Sequence, residues 1–298
     1  MTQQEALDIL KTGANVFLTG EPGSGKTHTI NRYVADLRGC GVEPSITAST
    51  GIAATHIGGY TIHSWSGIGV RQKLTKYDLD HIANNRRVYG RVSNTRVLII
   101  DEVSMLSDQT LEMVEAVCRE IRRDPRPFGG LQVVFVGDFF QLPPVNTQER
   151  DESDSTQQSF IKQGASHRFA FASLAWQKAN PLTCYLTEQH RQEDAAFLEF
   201  LSAVRRGLVK EQHRALLRTR YAKSAQGGIT QLYSHNADVD YINNKELAKL
   251  PGQPRVFVME GRGPETLVLA LKRGCLSPEP LSLKIGGRVM FTKNDPEW

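Results

Sequence analysis

Gly20, Gly25, Lys26 and Thr27 stand at the spacing G-x-x-x-x-G-K-T inside the stretch FLTGEPGSGKTHTI, residues 17–30. These residue types suit one task, holding a triphosphate. Glycines let successive backbone N–H groups converge on phosphate oxygens. A helix that starts at the lysine adds partial positive charge at its N-terminus. Lys26 can reach the β- and γ-phosphates, and the Thr27 hydroxyl can hold Mg²⁺. The nucleotide-binding set is Gly23, Ser24, Gly25, Lys26, Thr27 and His28, with ATP and Mg²⁺ as the cofactors expected.

A phosphate loop needs a carboxylate strand beside it. RVLIIDE, residues 96–102, supplies one. Asp101, at the strand end, would hold Mg²⁺ through its water shell, and Glu102 would orient or deprotonate the attacking water. A kinase acting on a small acceptor would need an acceptor site and its own base, so DE after the strand favours hydrolysis. VVFVGDFFQLPPV, residues 133–145, places Gln141 after a further strand end. Gln141 either reads the γ-phosphate or caps a turn, and Pro143-Pro144 stiffens the segment behind it. Phe139 and Phe140 are either core or faces for a base. In TEQHRQ, residues 187–192, Arg191 is either a surface arginine or a finger that neutralises charge on the transferring phosphoryl group.

These groups need a scaffold, and the apolar pattern describes it. NVFLTG, SITAS, RVLIID, LQVVFVGD and PLTCYLTE read as strands separated by helical stretches. Four consecutive apolar residues in RVLIID suit a strand covered on both faces. The alternation predicts a parallel sheet in an α/β domain. A helix over 108–123 would bury Leu111, Val114, Val117, Cys118 and Ile121 on one face. Residues 64–94 are polar and read as a small insertion, and 146–167 as a mobile surface loop. Beyond residue 190 come helices AAFLEFLSAVRRG and HRALLRTRY, strand TQLYS, helix ADVDYINNKELAKL, and strands near RVFVME and RVMFTK.

The 298 residues suggest about two domains. Four scattered cysteines suit a reducing compartment and no disulfide frame. The N-terminus reads as an amphipathic helix, and no apolar run approaches a membrane span. An intracellular protein with no membrane partner is expected. Net charge is +4, and arginines cluster at Arg86, Arg87 and Arg91, at Arg119, Arg122, Arg123 and Arg126, and at Arg205 and Arg206. Such clusters are either solvated helix faces or contacts for nucleic acid. Trp65 is either core or a stacking platform for a base. His56 and His63 have no Cys or carboxylate partners at metal-ligand spacing.

GEPGSGKT, STGIAATHIGGYTIHSWSGIG, IIDEVSML, PFGGLQVVFVGDFFQLPPV and LTEQHRQ occur in this order. Together they closely resemble the Pif-one (petite integration frequency) DNA helicases, RecD-like motors of superfamily 1. The resemblance covers nearly the whole chain. It implies an α/β fold of two RecA-like P-loop NTPase domains with parallel sheets, the second incomplete. The first would span 1–180, with a small insertion at about 64–94. The second would span 181–298 and stop at the start of a β-barrel insertion. The resemblance assigns ATPase roles to Lys26, Thr27, Asp101, Glu102 and Gln141, the finger to Arg191 and adenine reading to Gln3. Thr50, Gly51, His63 and Ser64 match segments that touch single-stranded DNA, and His235 and Asn236 are candidates in a further such segment.

A 5′-to-3′ DNA helicase core follows as the expectation, acting as a monomer on single-stranded, forked or structured duplex DNA. Repair, recombination and genome or telomere maintenance come with the family. The family's motifs beyond KNDPE lie outside this sequence. The alternative is therefore a nucleotide-gated DNA-binding module that does not unwind. A small-acceptor kinase, indifferent to DNA, is a third and weaker reading.

Overall fold

The computed structural model describes residues 1–56, 59–144, 169–187, 194–221, 230–233, 236–263, 265, 268–269, 272, 275 and 277–289. The chain divides into two compact units, Met1–His213 and Arg214–Trp298.

In the first unit six strands form one sheet: β1 (Val16–Gly20), β2 (Ser45–Ala48), β3 (Tyr60–Thr61), β4 (Val97–Asp101), β5 (Gln132–Val136) and β6 (Leu182–Leu186). Their order is β3-β2-β4-β5-β1-β6, and every pairing is parallel. Parallel neighbours need crossovers, so helices cover both faces and the strands are apolar on both sides. Alternation then divides each strand between two cores. Leu98, Ile100, Val133 and Phe135 face one core, and Val97, Ile99, Val134 and Val136 face the other.

On the second face lie α1 (Gln3–Lys11), through Ala6, Leu7 and Leu10, and α2 (Lys26–Gly39), through Ile30, Tyr33 and Val34. A capping box between Thr2 and Glu5 starts α1. On the first face lie α4 (Ile62–Ser66), α5 (Lys76–Asn84), α6 (Arg86–Asn94), α7 (Asp108–Arg122) and α8 (Leu174–Ala179), while α3 (Gly51–His56) follows β2. Ser107 caps α7, and its buried stripe contains the five residues expected from the sequence. Removing one such side chain, as in Leu111→Ala, costs about 2–5 kcal/mol.

Residues 64–94 fold as helices whose Trp65, Ile82, Val88 and Val92 belong to the sheet's own core. They are therefore packed into the domain. Their polarity reflects short helices with narrow buried stripes: a Thr75–Asp78 capping box starts α5, and Asn85 caps α6. The expected surface loop at 146–167 lies outside the described residues.

β6 pairs with β1 from Val16↔Leu182 to Gly20↔Leu186. Compactness thus carries the first unit past the expected boundary at 180/181 and includes α9 (Ala195–Arg205). Then α10 (Glu211–Arg220) leads into the second unit, which holds α11 (Asn236–Lys249) and an antiparallel pair, β7 (Arg255–Val258) with β8 (Pro280–Leu283). Residues 230–233, read as strand TQLYS, are not in a strand. Nor are 288–289 of the expected strand RVMFTK, whose remaining residues lie outside the description.

Candidate nucleotide-binding and hydrolysis site

Strand register brings the candidate residues to one end of the sheet. Ala48 pairs with Asp101 and also with Thr61, while Leu18 pairs with Val136. Each strand therefore delivers its following loop to the same carboxyl edge, where ligands bind in open parallel sheets. The loops are 21–25 after β1, 49–50 after β2, 102–107 after β4 and 137–144 after β5.

The loop after β1 is built for a phosphate. Gly25 sits in the left-handed region, φ 85°, as the N-cap of α2. The left-handed backbone favours glycine, and a Cβ there would come within 2.1 Å of Gln3 Nε2 and displace that side chain. Lys26 Nζ donates to the carbonyls of Gly20 (2.9 Å) and Glu21 (3.2 Å), which keeps it folded over the loop. The buried Ser24 hydroxyl has no hydrogen-bond partner among the described residues. Thr27 and His28 are exposed at the start of α2. Gln3 spans the loop: its Nε2 donates to Ser24 O (3.4 Å), and its Oε1 lies 2.9 Å from His28 Nδ1. Neighbouring Gln4 binds Asp8 and Arg32.

The carboxylates stand beside this loop. Glu102 N–H donates to Asp101 Oδ1 at 2.8 Å. Glu102 itself is held in the left-handed region, φ 52°, a conformation that costs a non-glycine residue of order 1 kcal/mol or more. Burial pushes the Asp101 carboxyl above its ordinary range, opposed in part by its bond to Glu102 and by Lys26. Burial, and then the charge of Asp101, pushes Glu102 up as well. Burial pulls Lys26 below its usual value, while Asp138, Glu102 and Asp101 pull it back. One lysine and three acids therefore share one electrostatic neighbourhood.

The loop after β5 completes that neighbourhood. Gly137 lets the chain pass the turn after Glu102, since a Cβ there would meet Val103 N at 3.0 Å. Asp138 is buried, and Gln141 is exposed. Gln141 Nε2 lies 3.4 Å from Asp138 Oδ2, and Gln141 N–H donates to Asp138 O at 2.9 Å. Phe139 packs among Phe17, Phe169, Phe171 and Trp176 and is therefore core, whereas Phe140 is exposed. Arg191 lies outside the described residues.

A family model described as PIF1-like helicase matches residues 2–215. The chain belongs to the PIF1-like helicase family. Among the relatives is ATP-dependent DNA helicase Pif1 of a Psychrobacter species, 44% identical over 305 residues, covering 100% of this chain and 44% of that protein. Human ATP-dependent DNA helicase PIF1 is 36% identical, covering 98% of this chain and 43% of its own length. The chain thus spans less than half the length of these two relatives. The crystal structure of Pif1 helicase from Candida albicans matches at TM-score 0.76 and 33% identity, over 95% of this chain and 62% of that one. Pif1 from a Bacteroides species, solved with ADP-AlF4, matches at TM-score 0.76 and 29% identity, over 98% and 65%. The α/β, RecA-like reading of the fold holds.

At the same edge of the sheet lie Thr50, Gly51, His63 and Ser64. Half-buried Thr50 accepts from Ala53 N–H at 3.2 Å and starts α3, with exposed Gly51 beside it. Thr61 caps α4 by accepting from Ser64 N–H at 3.2 Å. Ser64 is exposed, and half-buried His63 is pushed below its ordinary value by burial, which favours the neutral imidazole. Trp65 is fully buried, so it serves the core and does not offer a face to a base. Arg91 organises this segment: Nε donates to Trp65 O (3.0 Å), Nη2 to Ser64 O (2.7 Å), and the guanidinium lies 5.1 Å from the Tyr60 ring centroid. His235 lies outside the described residues. Asn236 begins α11, in the second unit, and its side chain is not described.

Asp138, Arg205 and Arg91 join these elements in the fold, although in the sequence Arg91 and Arg205 stand out only as members of basic clusters. Arg122 of those clusters serves packing, donating to the carbonyls of Gly129, Ser93 and Thr95.

Proposed function

We propose that the protein is an ATP-driven DNA helicase that moves 5′ to 3′ along single-stranded DNA. The observation that carries the reading is the convergence of Lys26, Asp101 and Glu102 beside a loop shaped for phosphate. The polarity rests on family resemblance. Partners follow from relatives, of which one is solved with single-stranded DNA and another is described as unwinding forked double-stranded DNA with two coordinating helicases. For single-stranded DNA we propose one copy as the translocating unit, and for a fork the arrangement of that relative.

The backbone N–H groups of Gly23 to Thr27 would cradle the phosphates, with Lys26 moving from its loop carbonyls onto the β- and γ-oxygens. The Ser24 hydroxyl, buried at the loop and unpartnered among the described residues, fits a polar ligand there. Gln3 and His28 flank the end of the site suited to a base. Thr27 and Asp101 are the residues that would hold Mg²⁺, which would neutralise developing phosphate charge. Glu102 takes a proton from the attacking water, and its raised pKa makes it a better base than an exposed glutamate. Gln141 reads the γ-phosphate, and Arg191 is the proposed finger. Thr50, Gly51, His63 and Ser64, with His235 and Asn236, are the proposed DNA contacts; hydroxyls and backbone N–H groups suit the phosphate backbone without reading sequence.

The test is strand displacement on duplexes carrying a 5′ or a 3′ single-stranded tail, using the whole protein with ATP. Unwinding of the 5′-tailed substrate alone is expected. Displacement from neither, despite DNA-stimulated ATP turnover, would reject the helicase reading.

A further inference from the structure

Gln141 is placed by a network that reaches beyond its own loop. Asp138 Oδ1 accepts from Phe140 N–H at 3.1 Å, and Oδ2 receives both the Gln141 amide and Arg205 Nη1, the latter at 2.6 Å. The Asp138 side chain is 1% exposed and that of Arg205 13%. The same guanidinium lies 4.3 Å from the centroid of Phe140, the residue before Gln141. One turn earlier on α9, the single Ser202 hydroxyl proton is shared by the Glu21 carboxylate, with Oγ 3.1 and 2.9 Å from its two oxygens. Glu21 is the residue whose carbonyl also receives Lys26. Two successive turns of one helix thus hold the two loops that would face the phosphates.

Charge gives this arrangement a purpose. A buried carboxylate paired to a guanidinium is neutralised in place.

Resting on the ATPase reading above, we infer that Arg205 is a positioning residue of the nucleotide site: through Asp138 it holds the Gln141 turn. With Ser202 on Glu21, it makes α9 the element that registers whether the γ-phosphate is present. Arg205 touches no reacting atom and acts through Asp138 and Gln141.

The experiment is a kinetic double-mutant cycle on the whole protein with saturating single-stranded DNA, comparing Arg205→Met, Gln141→Ala and the pair. Each single change is expected to lower kcat by roughly 10-fold or more, with KM for ATP held within about 3-fold. The double variant should be no slower than the slower single one, because both changes break one unit. Arg205→Lys keeps charge but not the planar fork, and should fall between. It takes the place of Arg205→Met in the cycle if that variant does not fold. Losses that multiply, or a kcat unchanged by any one of the single changes, would overturn the role of Arg205. Lys26→Ala runs alongside. If it turns over ATP like the unaltered protein, the ATPase reading itself falls, which is a separate result.

Discussion

Lys26 and Gly20 are bonded through the loop they both belong to, Nζ to carbonyl oxygen at 2.9 Å. The lysine is therefore pre-placed over the position its own loop reserves for phosphate. Burial of the half-buried lysine pulls its pKa below the usual value, and the charges of Asp138, Glu102 and Asp101 act against that pull. Exchange of two carbonyls for phosphate oxygens then costs little reorganisation.

The first prediction concerns Gly25. A methyl there meets Gln3 Nε2 and forces a left-handed backbone on alanine. Gly25→Ala should lose about 1–3 kcal/mol of stability. It should also weaken ATP binding by moving the Gln3–His28 pair. Thermal unfolding and titration with a fluorescent ATP analogue check both.

The second concerns pH. Glu102 titrates above its ordinary value in the folded protein, so the folded state holds that proton more tightly than the unfolded chain. Its contribution to stability therefore falls as pH rises from the ordinary glutamate range through the raised value, and stays unfavourable at neutral pH. Glu102→Gln should raise the melting temperature at pH 7, and the gain should vanish in acid below both values. The acid limb of kcat in the unaltered protein should lie above the range of an exposed glutamate.

The third separates core from DNA contact near α4. Trp65→Ala should cost about 3–5 kcal/mol of stability, because the side chain is fully buried. Arg91→Ala should instead weaken single-stranded DNA binding by loosening the Ser64 and Trp65 carbonyls, with a smaller loss of stability. Chemical denaturation and fluorescence anisotropy with a labelled oligonucleotide distinguish the two.

The nucleotide site was legible because its chemistry is local. Gly20 to Thr27 and Asp101-Glu102 are each short continuous stretches of sequence, and apolar runs such as RVLIID mark the strands that carry them. Asp138 and Arg205 were not legible in this way. They are 67 positions apart, and a buried arginine reads like a solvated one until its partner is known. The helices of 64–94 were hidden by their polarity, because each buries only one or two large residues beneath a charged surface. Trp65 could not be assigned from its type, since a base-stacking ring and a core ring share one composition. β3, with two residues, has no periodicity to detect.

ATP turnover against ATP binding, compared in Glu102→Gln and Lys26→Ala with single-stranded DNA present, tests the central claim most directly. Glu102→Gln should bind ATP like the unaltered protein and lose roughly 10²–10⁴ in kcat. Lys26→Ala should weaken binding itself by about 10-fold or more. Turnover by Glu102→Gln at the unaltered rate would contradict the assignment of Glu102 as the base, and with it the hydrolytic site drawn here.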